Sequence, residues 1–121
     1  MAERLFNKCA LLMLTYLVAG CASENANLEG LQSESPIIRM RSCARLERGA
    51  GIEAVPELLA KLDDSDPAVR LVSHQALIKI TGEDFGYRAW EAPLDRRESI
   101  EKYAKWWEEK AKQEVPPEKA Q

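Results

Sequence analysis

Apolar positions along the chain advance in steps of three and four, and one stretch repeats its pattern after 31 residues. Leu28 aligns with Leu59, Leu31 with Leu62, Pro36 with Pro67, Arg39 with Arg70, Ser42 with Ser73, Leu46 with Leu77 and Gly51 with Gly82. These are seven identities over the 24 columns from 28 to 51, and Ile38 against Val69 and Met40 against Leu71 preserve apolar character. A period of about 30 with helical spacing predicts helix pairs stacked as an α-solenoid, because each pair leaves an apolar face that only a neighbour covers.

The punctuation agrees. Ser35-Pro36 and Asp66-Pro67 each set a capping oxygen before a proline, whose missing N–H costs nothing at the first helical position. Helices over 36–48 and 67–80 follow, closed by Gly49 or Gly51 and by Gly82. Ile52, Val55, Leu58, Leu59 and Leu62 mark a helix ahead of the second of these, with Pro56 in its first turns. The matching earlier helix, over 23–32, keeps only Leu28 and Leu31 and contains Gly30, so it reads as part helix and part tether.

After Thr81 the pattern changes. Residues 81–93 hold two glycines, a proline and three aromatics, the composition of an ordered loop. Asp95 to Glu98 has capping-box spacing, and Ile100, Tyr103, Ala104, Trp107 and Ala111 then form one apolar stripe over 96–113. Glu98–Lys102, Glu101–Lys105 and Glu108–Lys112 run acid to base at i, i+4. This helix is expected to cap the last repeat, with Phe85 or Trp90 packed beneath it. Trp106 sits one residue off the stripe and is the candidate exposed aromatic for contact with a partner.

Residues 54–70, with Ala54-Val55-Pro56 and Leu58-Leu59 followed by Asp63-Asp64-Ser65-Asp66-Pro67 and Val69-Arg70, resemble a HEAT-type repeat of the short bacterial kind named for phycobilisome lyases. The resemblance covers 28–82, and the second unit is the better copy. It implies antiparallel helix pairs whose second helices line a concave side, and a role in protein contact more often than catalysis. It also makes Pro36, Arg39, Pro67 and Arg70 structural repeat positions. The family's arginine usually bonds a turn carboxylate between units; for Arg70 the choices are Asp63, Asp64 and Asp66, whereas the first unit has Gln32, Ser33 and Glu34 in that turn.

The first 20 residues differ from the rest. Arg4 and Lys8 precede an uncharged run from Cys9 to Gly20, which spans about 18 Å as a helix against a hydrocarbon core of about 30 Å. That is too short to cross a bilayer and suits a secretory signal. Leu17-Val18-Ala19-Gly20-Cys21 resembles the lipobox of bacterial lipoproteins. The resemblance implies cleavage between Gly20 and Cys21 and lipidation of Cys21 with acyl chains such as palmitate, a stable membrane anchor. Ala22 in place of Asp favours the outer membrane, on its periplasmic side, if the source is a double-membrane bacterium.

Composition narrows the classes that remain. Hydrophobic residues at 45% and charged residues at 31% describe an ordinary folded chain. Losing Arg4, Lys8 and Glu3 leaves 15 basic and 19 acidic residues, net −4, which disfavours nucleic acid. With Cys9 removed and Cys21 acylated, Cys43 is alone and forms no intramolecular disulfide. His74, its counterpart in the second unit, is the only base for a thiol enzyme, and no third group completes such a site. Asp63 to Asp66 lacks the glycine of a calcium loop, and no metal or cofactor site and no catalytic residue is assigned.

The expected organisation is a signal at 1–20, a lipidated tether and weak helix at 21–34, an all-α HEAT-like domain at 35–113 and a tail at 114–121. The expected function is an envelope scaffold or interaction module for a protein partner, with Arg41, Arg45, His74 and Trp106 as candidate contacts. The alternative is a small enzyme or ligand-binding subunit with a groove near His74 and Cys43.

Overall fold

The computed structural model describes residues 28–114. The signal, Gly20 and Cys21, residues 21–27 of the tether and residues 115–121 of the tail lie outside the described residues. Among the described residues the chain is all-α, without a strand. A helical turn at 28–30 precedes α1 (Pro36–Gly49), a 3-10 turn (Gly51–Ala54), α2 (Val55–Lys61), α3 (Pro67–Thr81) and α4 (Pro93–Glu114). No described helix is long and apolar enough to cross a membrane.

Both repeat turns share a construction. The Asp64 carboxylate accepts from the Asp66 N–H at 3.0 Å, and the Ser33 hydroxyl, 31 residues earlier, accepts from the Ser35 N–H at 3.2 Å. Asp66 then caps α3 by accepting from the N–H groups of Ala68 and Val69, at 2.8 and 3.3 Å. Ser35 departs from the expected pattern: its hydroxyl makes no cap bond, so α1 starts on Pro36 and on the Ser35 carbonyl alone. At the other end of α3, Gly82 adopts φ 74 and donates its N–H to the Ile78 carbonyl at 2.8 Å. A side chain would be strained there.

The apolar run 52–62 is split. Pro56 has no N–H to give Ile52, so Gly51–Ala54 tightens into a 3-10 turn before α2 starts. Val55, Leu58 and Leu62 remain fully buried. Helix α4 starts three residues earlier than the capping-box spacing implies. Pro93 sets its first turn, and the Ala92 carbonyl accepts from the N–H groups of Asp95 and Arg96 at 3.0 and 3.1 Å. Glu98 therefore lies inside the helix and pairs with Lys102 at 2.7 Å.

Helix α3 is the central element, with α1 and α2 packed on it and α4 packed on α2, a solenoid-like arrangement. Leu31, Cys43, Leu46, Leu58, Leu62, Val69, Leu77 and Tyr103 belong to one core. The two repeat serines mark the close approaches between helices. Buried Ser73 donates to the Leu58 carbonyl at 2.5 Å, and Ser42 is pressed against Gly30, where an added Cβ would lie 2.1 Å from its Oγ. The first unit is the more open one: Ile38 is 45% exposed, whereas its counterpart Val69 is fully covered.

Candidate functional site

The repeat arginines form a ladder through the turns. Arg39 donates from Nη1 to the carbonyls of Ser33 and Glu34 at 2.7 and 3.0 Å, and Arg70 donates from Nη1 to those of Asp64 and Ser65 at 2.7 and 3.2 Å. The remaining donors reach the next unit. Arg39 makes a two-pronged bond to Asp64, Nε to Oδ2 at 2.9 Å and Nη2 to Oδ1 at 2.8 Å. Arg70 takes none of the three candidate carboxylates; its Nε donates to the Ala89 carbonyl at 2.7 Å. The difference follows from what comes next in the stack. A second repeat turn with an acid faces Arg39, and the 82–92 loop faces Arg70.

The three turn acids thus have separate partners. Asp64 holds Arg39, Asp66 caps α3, and Asp63 accepts from Arg96 Nη2 at 2.8 Å. Burial pushes the Asp64 carboxyl upward, but Arg39, the Asp66 N–H and Lys61 outweigh it and hold the group below its ordinary range. The same hydrogen bond raises Arg39. Among the described residues no cluster of three or more metal-ligating side chains occurs.

Cys43 and His74 are enclosed by different groups. Cys43 is fully buried beside Ser73, and burial pushes its thiol up to about 11, the opposite of an activated nucleophile. His74 is 7% exposed and lies under two phenols, its ring 4.9 Å from Tyr87 and 6.1 Å from Tyr103. Its buried Nε2 makes no hydrogen bond among the described residues; Asp84 Oδ1 is 3.5 Å away. Burial lowers the His74 pKa and Asp84 opposes that shift in part. The imidazole is accordingly a wall of the core, not a groove residue open to a partner.

Side chains of helix α4 hold the 82–92 loop by donating to its main-chain carbonyls. Tyr103 donates to the Glu83 carbonyl at 2.7 Å, Ser99 to that of Phe85 at 3.0 Å and Arg96 to that of Glu91 at 2.6 Å. Tyr87 donates to the Leu62 carbonyl, and Phe85 meets Tyr103 edge to face at 4.6 Å. Phe85 is the aromatic beneath α4; Trp90 is not, being 69% exposed with Leu94 nearby in sequence at 72%. Trp106 is also not the exposed aromatic. It is half-buried against the core like Trp107, with Lys110 Nζ 5.7 Å from its ring centroid. It stands three residues after Tyr103, hence on the flank of the same face.

Arg41 and Arg45 are exposed, as is Arg48, and they share one side of α1 with Ile37 and Ile38. Sequence reasoning missed Trp90 and Leu94. One signal was present: Leu94 lies nine residues before Tyr103, about half a revolution from the buried stripe at 100° per residue. No family model, curated protein or solved structure matches the chain.

Proposed function

We propose that this chain is a lipid-anchored helical-repeat protein of the HEAT type that binds a protein partner in a bacterial envelope, with a binding role and no catalytic one. In this reading Cys21 carries the anchor, the two units form the scaffold and α4 is its terminal cap. The observation that carries the binding role is Trp90. An indole 69% exposed on a loop pinned by Arg70, Tyr87 and Arg96 combines a large apolar area with little ordering entropy left to lose. Leu94, four residues later in the first turn of α4, is 72% exposed and offers a second large apolar group.

Two measurements test it. Fatty-acid labelling in the source organism should depend on Cys21, and label retained in Cys21→Ser would refute the anchor. A photo-crosslinker placed at Arg88 should capture one partner in native membranes, and Trp90→Asp with Leu94→Ser should abolish that adduct. Undiminished capture by the double variant would remove Trp90 and Leu94 from the interface.

A further inference from the structure

Helix α1 carries a second exposed surface of different chemistry. At about 100° per residue, Ile37, Arg48, Arg41, Arg45 and Ile38 fall within an arc of about 100°. All five side chains are exposed, the isoleucines by 55% and 45%. The charged neighbours on α1 that have partners lie elsewhere: Arg39 is taken by Asp64 and Glu47 by Lys79. Of the acids closest in sequence outside α1, Glu29 and Glu34 precede the helix and Glu53 follows it. A chain of net charge −3 thus gathers three cations and two large aliphatic groups on one helical stripe without an acid among them.

We propose that this stripe of α1 docks onto an anionic phospholipid surface. The inference rests on the lipid-anchor reading of Cys21. Seven residue steps separate Cys21 from Leu28, a reach of at most about 25 Å at 3.3–3.6 Å per residue. The anchor would therefore keep the start of the first unit within about 25 Å of the bilayer surface. Arginines meeting lipid phosphates, with isoleucines entering the boundary between headgroups and acyl chains, are what an interfacial helix face requires. Position 38 supports this assignment from the fold: its repeat counterpart Val69 is fully covered by protein, whereas Ile38 is 45% exposed.

The test uses the acylated mature protein with an environment-sensitive fluorophore on Ile38→Cys, reconstituted into protein-free vesicles. Emission should shift to the blue on phosphatidylcholine mixed with phosphatidylglycerol and stay water-like on phosphatidylcholine alone. The same dye on Leu94→Cys should stay water-like on both. Arg41→Gln, Arg45→Gln and Arg48→Gln together should lower the docked-to-free ratio about 100-fold, about five-fold per charge removed. Water-like emission at position 38 in acylated protein would overturn the docking while leaving the anchor intact. So would an equal shift on neutral vesicles, or a shift before any vesicle is added, the sign of cover by residues 21–27 or a second copy. A shift confined to native membranes would assign the stripe to a protein instead. A purified protein whose mass shows no acyl chains would refute the anchor itself, and the docking with it.

Discussion

At the residue scale, the side chains that looked most chemical in the sequence act on the fold. His74 is the clearest. Its folded pKa lies below its ordinary value because burial disfavours the imidazolium, so the neutral ring is the form the fold prefers. The stability this gives is complete above about pH 6.5, the unfolded value, and is lost as pH falls from there toward the lowered folded value. Asp84 limits the loss without reversing it. The melting temperature should therefore fall between pH 7 and pH 5, and His74→Gln should flatten that segment of the profile. Asp64 works in the same direction in a lower window. Its carboxyl is held below the usual range, so its contribution is present above about pH 4 and disappears on further acidification. Asp64→Asn should weaken the domain at pH 7 and reduce its sensitivity below pH 4. Arg39→Lys should lose most of what Arg39→Gln loses, since one ammonium cannot serve the Ser33 and Glu34 carbonyls and both Asp64 oxygens together.

At the element scale, the close contact of the 28–30 turn with α1 offers a test of sign. Gly30→Ala would normally favour a helix by about 1 kcal/mol. Here its Cβ meets Ser42 Oγ at 2.1 Å, so the variant should instead lose about 1–3 kcal/mol in urea unfolding. Adding Ser42→Ala removes the clashing oxygen and leaves the Ser42 Cβ at 3.3 Å, and most of the loss should be recovered. Additive losses in that double-variant cycle would mean that the turn does not pack as described. The elements themselves were legible where sequence and backbone chemistry coincide. Pro36 and Pro67 set helix starts, Gly82 ends α3 in the left-handed region, and the period of 31 aligned Arg39 with Arg70 and Ser42 with Ser73. Three features were not read from the sequence, the first two because a distant group decides them. Asp64 turned to Arg39 of the preceding unit. Trp90 was turned outward by a loop whose path depends on Arg70, Tyr87 and Arg96. The start of α4 moved to Pro93, ahead of the capping-box pattern at Asp95. Spacing reports which face a residue takes on its own helix; it does not report which partner arrives from 19 or 25 positions away.

At the scale of the whole molecule, two repeat units fall below the usual minimum of three for a stable solenoid, so stability depends on what closes the stack. Helix α4 packs onto the stack through specific groups. It contributes Tyr103, fully buried with its hydroxyl on the Glu83 carbonyl, and partly buried Ile100, Trp106 and Trp107. It also supplies Arg96, which ties the 82–92 loop to Asp63 in the turn between α2 and α3. Ending the chain after Ala92 would uncover His74, Phe85 and Tyr87 and leave the carbonyls of Glu83, Phe85 and Glu91 without these donors. Each hydrogen bond lost there is worth about 0.5–1.5 kcal/mol, and loss of a large buried aromatic about 3–5 kcal/mol. Together these losses are comparable to the whole stability of a small domain, about 5–15 kcal/mol. The truncated chain should therefore show no cooperative thermal transition by calorimetry or by circular dichroism at 222 nm. Tyr103→Phe, which removes only the hydroxyl, should unfold cooperatively with a loss of about 1 kcal/mol. A cooperative melt in the truncated chain close to that of the full chain would show that α1, α2 and α3 stand alone, and α4 would then be an accessory to the fold.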